Sequence, residues 1–203
     1  ITGMFWAVIG ALMSLVFRLQ LGFPEESLAW LQPVLGKWIV VNEIGMGTLD
    51  PDFYYALVTM HGTILVFFVL TAGLSGTFSN LLIPLQIGAR DMASPLLNML
   101  SYWFFFIAGA IMFASLFLST GPFSGGWTAY PPLSALPQAS SGSGAGMTLW
   151  LVSMAIFVAS SLIGALNYIV TIFNLRTKGM KMTRLPLTIW AFFITAIIGV
   201  VSF

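Results

Sequence analysis

The chain has 203 residues, 59% of them hydrophobic and 6% charged, with a formal net charge of +1, one histidine and no cysteine. Soluble domains carry about a quarter charged residues, so this chain cannot cover a water-facing surface. A soluble enzyme, a nucleic-acid binder, a disordered segment and a disulfide scaffold are excluded, and a multi-span membrane protein remains.

A span needs about 20 mostly apolar residues, and five segments qualify. The first is residues 1–22, ended by Pro24. The second, 53–87, is long enough to protrude from a bilayer. The third is 95–120, the fourth 146–175 and the fifth 185–203. Only helices and closed barrels span lipid, and these runs lack the alternation of barrel strands. The expected fold is therefore all-α, a polytopic transmembrane helix bundle forming a single transmembrane domain over 1–203. No soluble domain or internal repeat is visible. The chain opens on Ile1 and closes in the apolar run Val200, Val201, Ser202, Phe203, which reads as part of something larger.

The connections separate by charge. Arg90 and Asp91 lie between spans two and three, and Arg176, Lys178, Lys181 and Arg184 between spans four and five. Glu25, Glu26, Glu43, Asp50 and Asp52 lie between spans one and two, against Lys37 alone, and 121–145 carries no charge. The positive-inside rule puts the two basic loops in the cytoplasm, so the chain starts there and first crosses outward. Trp30, Trp38, Trp127 and Tyr130 suit an interfacial aromatic belt. Residues 139–146 are rich in Gly, Ser and Ala and read as a flexible loop.

An ionisable residue within a span is a functional candidate by default. Arg18 lies near the outer end of span one. His61 lies about eight residues into span two, or about 12 Å along a helix. Both fall in the outer leaflet. A snorkelling arginine and a structural histidine between helices are the plain readings. Together the two suggest a neutral imidazole as an axial ligand of haem iron, with Arg18 hydrogen-bonding a haem substituent. Gly62 and Thr63 leave room beside the imidazole, and Gly73, Gly76, Gly109 and Gly164 let helices approach closely. In the inner half, Asn80, Asn98, Asn167, Ser160 and Ser161 lie above Asp91. Such a string of amides and hydroxyls suits an ordered water chain that carries protons. Ordinary interhelical hydrogen bonding, about 0.6 kcal/mol per pair, is the alternative.

At these residues the sequence resembles a known family. Met60-His61-Gly62-Thr63 with Phe67-Phe68, then Asn80, Pro84-Leu85-Gln86-Ile87-Gly88-Ala89-Arg90-Asp91-Met92-Ala93 and Pro95-Leu96-Leu97-Asn98, resemble the second helix and following loop of subunit I of A-type haem-copper terminal oxidases. Gly126-Trp127-Thr128-Ala129-Tyr130-Pro131-Pro132-Leu133 is similar to the family's outer loop after helix three. Ser160-Ser161 with Gly164-Ala165-Leu166-Asn167 is similar to its fourth helix. The resemblance implies that His61 is one axial ligand, and so a metal ligand, of a low-spin haem, haem a in the A-type branch. Arg18 would hydrogen-bond that haem's formyl group, Tyr54 would contact a propionate, and Trp127 would sit near the propionates. Asp91 would open a proton channel whose water chain Asn80, Asn98, Asn167, Ser160 and Ser161 line. Implied partners are the oxidase subunits of types II and III, cytochrome c or another electron donor, and the lipid bilayer, with no nucleic acid. The implied location is a bacterial cytoplasmic membrane or the mitochondrial inner membrane.

The family's subunit has about twelve spans of this length, against five here. With one histidine, the second low-spin ligand, the high-spin haem ligand and the copper ligands have to come from elsewhere. The implied activity is electron transfer from cytochrome c through the low-spin haem to a haem-copper centre that reduces dioxygen to water and pumps protons. Ile9 and Met13 are apolar where ubiquinol-using relatives carry charge, which favours cytochrome c over quinol. Asn80, Asp91 and Asn98 argue against a nitric oxide reductase. A transporter or channel would explain Asp91 and the asparagines but not Arg18 with His61, and a structural subunit would bind no haem. The outer connection, 23–52, is longer than in common members. Gln20 stands where many relatives have an acidic residue.

Overall fold

A computed structural model describes residues 1–136, 138–139 and 144–202, with side chains at these positions other than 72 and 74. The chain forms two compact units, one of Ile1–Val69 with Met112–Leu151, the other of Leu70–Ile111 with Val152–Phe203.

The long helices follow the apolar runs. They are α1 (Thr2–Gly22), α2 (Pro51–Ile87), α3 (Pro95–Ser115) and α4 (Ala145–Asn174), and each is long and apolar enough to cross a membrane. A shorter apolar helix, α5 (Leu187–Ser202), has 16 residues. The described residues thus hold four helices of spanning length, where five were expected. Leu185 precedes Pro186 and is held extended (φ −67°, ψ 138°), because the proline ring disfavours helix in the residue before it. The helix therefore starts at Leu187 and not at 185.

Local chemistry sets the other boundaries. Asp50 caps α2, its Oδ1 accepting from Phe53 N at 3.0 Å, with Pro51 in the first turn, where no N–H is needed. The stretch Ile64–Ser75 within α2 is wound as a π-helix, a form rare beyond single turns. At the other end Gly88 takes φ +76° and Ala89 N donates to Pro84 O. The third helix stops at Ser115, short of residue 120. Ser115 Oγ donates back to Met112 O at 2.7 Å, and the next amides close three-residue turns, Leu116 N to Phe113 O and Phe117 N to Ala114 O.

The connection between α1 and α2 holds a feature that an all-α reading misses. Short helical turns over Ala29–Leu31, Gln32–Leu35 and Gly36–Trp38 lead into an antiparallel hairpin, β1 (Ile39–Val41) with β2 (Gly47–Leu49). Asn42 makes the turn by accepting from Ile44 N and Met46 N, while Gly45 takes φ +79°. Gln20 Oε1 accepts from Leu49 N at 2.9 Å and pins the hairpin to α1. Trp30, Trp127 and Tyr130 are exposed, as a belt requires. Trp38 is not, since it stacks on Phe53 at 4.7 Å and 10° with the Lys37 ammonium 4.3 Å above its ring. The flexible loop read at 139–146 falls partly on residues 140–143, outside the described residues, and Ala145 and Gly146 already belong to α4.

Each unit has its own core. In the first, Trp6, Met13, Phe17, Ala56, Met60 and Ile64 are buried between α1 and α2. In the second, Ile83, Ile87, Ile172, Leu185, Ile189 and Phe193 form one cluster. Lipid tails are as apolar as these side chains, so packing and interhelical hydrogen bonds hold such helices together. Within the second unit the two basic loops are neighbours, with Thr177 N donating to Ile87 O at 2.9 Å. Arg176 ties its own loop by donating to Ile172 O and Met180 O. Within the first unit the Lys37 ammonium donates to Ser119 O, and a Cβ on Gly121 would meet Trp38 at 2.9 Å. The acidic and the uncharged connections therefore adjoin as well, as the alternation of sides requires.

Candidate functional site

The first helix holds the imidazole of His61. Its Nδ1 lies 2.8 Å from the carbonyl oxygen of Gly10. A carbonyl only accepts, so Nδ1 carries a proton, and in the neutral imidazole Nε2 keeps its lone pair. A metal-ligating histidine adopts this tautomer when its other nitrogen donates to a backbone carbonyl. The helices come this close because residue 10 is glycine, where a Cβ would meet Leu65 Cδ2 at 2.7 Å. Phe17 stands edge-on to the imidazole, with 5.5 Å between centroids. A Cβ on Gly62 would meet nothing within 4 Å, which gives the room expected beside the imidazole. Thr63 gives none. It is buried, donates to Thr59 O at 2.9 Å and accepts from Trp150 Nε1 at 3.3 Å. A fixed Nδ1–H, a lone pair on Nε2 and an open flank fit an axial haem ligand.

Tyr54, two turns before His61, is half-buried, and its ring lies 6.1 Å from Phe17, which thus touches both. Trp127 is exposed and packs on Phe67 at 5.9 Å. Its neighbour Gly126, at φ +80°, donates its N–H to Thr59 Oγ1 at 3.0 Å, which fixes the loop beside α2. Arg18 is exposed and turns its Nε to Ser14 Oγ at 2.9 Å. All four candidates lie in the first unit.

The six polar candidates lie in the second unit, and they divide. Asp91 is exposed, its Oδ1 accepting from Met92 N at 2.7 Å. Asn98 and Ser161 are half-buried. Asn167, 1% exposed, clamps the Ser94 peptide, accepting from its N–H at 3.0 Å and donating to its C=O at 3.2 Å. Ser160 donates to Ser101 O at 2.7 Å and Ser101 returns a bond to Ser160 O at 2.9 Å. A Cβ on Gly164 would lie 3.3 Å from Ser101 Oγ, whereas one on Gly76 would meet nothing within 4 Å. Gly164 thus serves close helix approach and Gly76 does not. Asn80 Nδ2 donates to Gly76 O at 2.7 Å, and its Oδ1 is buried with no donor among the described residues.

Sequence reasoning missed Gly10, Ser14 and Phe17. Gly10, Ser14 and Arg18 recur at i, i+4 and i+8, which puts them on one helix face, and that spacing was the available signal. Nothing in the sequence pairs that face with His61.

An integral membrane protein of apolar helices with a histidine so held is one class of molecule, and sequence comparison gives the family. The family model described as Cytochrome C and Quinol oxidase polypeptide I matches residues 1–203, and the chain belongs to that family, subunit I of the haem-copper oxidases. It is 37% identical over 196 residues to the Alternative cytochrome c oxidase subunit 1 of Bradyrhizobium diazoefficiens, covering 97% of this chain and 30% of the relative. It is 34% identical to the Cytochrome c oxidase subunit 1 of Thermostichus vulcanus, covering 100% of this chain and 32% of the relative. The chain thus spans less than a third of the length of these relatives.

Proposed function

We propose that the chain is part of the catalytic subunit of a respiratory terminal oxidase. This oxidase passes electrons from cytochrome c to a haem-copper centre, reduces dioxygen to water and pumps protons. The observation that carries the reading is the bond from His61 Nδ1 to the Gly10 carbonyl, which leaves Nε2 for iron. A low-spin haem, haem a in this reading, supplies reversible one-electron iron chemistry when bound. His61 holds it by Nε2, Gly10 fixes the tautomer, and Phe17 keeps water from one side of the imidazole. Arg18, tethered at Nε, keeps its terminal amino groups for a formyl oxygen, and Tyr54 and Trp127 serve the propionates. Asp91 takes up protons, and Asn80, Asn98 and Ser161 carry the path inward, with Ser160 and Asn167 bracing the helices around it. A high-spin haem and copper belong to other parts of the full subunit.

Both named relatives are cytochrome c oxidase subunits, which supports cytochrome c as donor. A quinol-oxidising enzyme is the second reading, favoured by the breadth of the family description. Subunits of types II and III are the proposed partners, and a bacterial cytoplasmic membrane or the mitochondrial inner membrane is the proposed location. The test is a reduced-minus-oxidised spectrum of the purified complex, which should show a bis-histidine low-spin haem. His61→Ala should remove that signal while the subunit stays in the membrane. A low-spin signal retained in this variant would overturn the ligand assignment.

A further inference from the structure

Thr59 and Thr63 stand four residues apart on α2 and share one face, and each lies two residues from His61. Two residues turn an α-helix by about 200°, so the threonines look away from α1 while the imidazole meets it. Three hydrogen bonds gather on that far face, all within the first unit. Trp150 Nε1 of α4 donates to Thr63 Oγ1 at 3.3 Å, Thr63 Oγ1 donates to Thr59 O at 2.9 Å, and Gly126 N donates to Thr59 Oγ1 at 3.0 Å. The directions are forced. An indole N–H only donates, and a hydroxyl has one proton, which Thr63 gives to Thr59 O. Both Thr63 and Trp150 are buried, and a buried indole N–H needs a partner.

The indole is anchored in turn by its ring, 5.2 Å from that of Phe123. Phe123 is fully buried, and a Cβ on Gly125 would lie 2.5 Å from its ring. At the start of α4 a Cβ on Gly146 would lie 2.7 Å from Gly121 O. The loop and the first turns of α4 thus approach as closely as glycine permits, which holds the indole in place. On the other side of α2, the bond from His61 to Gly10 O resists separation from α1 better than it resists a roll of α2 about its own axis. A roll would swing Nε2, and the polar contacts of the far face oppose it.

We propose that Trp150 is a positioning residue for the low-spin haem ligand: its bond to Thr63 sets the roll of α2 and so the direction in which His61 aims Nε2. This rests on the reading of His61 as an axial ligand.

The experiment records the electron paramagnetic resonance of the oxidised, purified complex carrying this chain. The largest g value of a bis-histidine low-spin haem follows the angle between its two axial imidazole planes. Trp150→Phe removes the N–H and keeps a ring against Phe123. Thr63→Val removes the acceptor at nearly constant shape. In both, the low-spin signal should persist at parental haem content, and its largest g value should shift. Electron entry to this haem should slow by less than the about 10–100-fold that loss of a ligand's direct partner costs. Thr63→Ser, which keeps the hydroxyl, should return the parental g value. Parental g values in both Trp150→Phe and Thr63→Val overturn the inference even where the complex melts earlier, since Trp150 would then only hold helices together. A low-spin signal that survives His61→Ala overturns the ligand reading beneath it.

Discussion

The carbonyl oxygen of Gly10 lies 2.8 Å from Nδ1 of His61, across 51 positions of sequence. The bond exists because two apolar helices meet at a residue with no side chain. Its chemical effect is to choose which imidazole nitrogen can bind a metal.

Widening that contact should disturb the site without touching the ligand. Gly10→Val drives new carbons into Leu65, which a Cβ already approaches to 2.7 Å. Overpacking of this kind costs about 1–3 kcal/mol. The purified complex should melt earlier, and the low-spin band should move. Leu65→Ala in the same chain should recover much of both. An unmoved band in Gly10→Val would mean that the helix contact does not set the imidazole.

Asp91→Asn keeps the acceptor for Met92 N and removes the charge. Proton uptake from the inside should slow on the order of tenfold to a hundredfold, with haem content intact. Unchanged turnover and pumping would remove Asp91 from the mechanism.

Asn167 illustrates how a residue read as lining a water path can be engaged otherwise. Asn167→Ala leaves the N–H of Ser94 without its partner, while the C=O keeps the bond from Asn98 N, at about 1–3 kcal/mol for the unpaired group. A lower melting temperature in detergent is expected, with proton uptake slowed less than in Asp91→Asn. Full thermal stability with uptake lost would reverse the assignment and return Asn167 to the water path.

Asp50→Ala removes the cap of α2 and should cost about 1 kcal/mol. Amide exchange at Phe53 and Tyr54 should quicken, and Asp50→Ser should restore most of the protection. Equal exchange in Asp50→Ala and the parent would show that the hairpin and Pro51 alone hold this helix end.

Composition alone set the solvent. A chain with 6% charge and long apolar runs can satisfy its backbone in lipid only as helices, so α1 to α4 were legible to within a few residues. It also marked His61, Arg18, Asn80 and Asp91, because ionisable and amide groups are rare in such runs. Features that depend on pairing were not legible. The hairpin needs Gln20 on Leu49, and the end of α3 needs local turns that composition does not encode. The π-helical stretch of α2 abolishes the 3.6-residue period on which facing residues are read. Which polar atoms are already spoken for depends on how the helices pack. Asn167 and Ser160 are engaged by backbone, Asn80 Oδ1 is not, and His61 keeps Nε2 because Gly10 takes Nδ1. A side chain's identity fixes what it can donate or accept, while its freedom to act depends on neighbours far away in sequence.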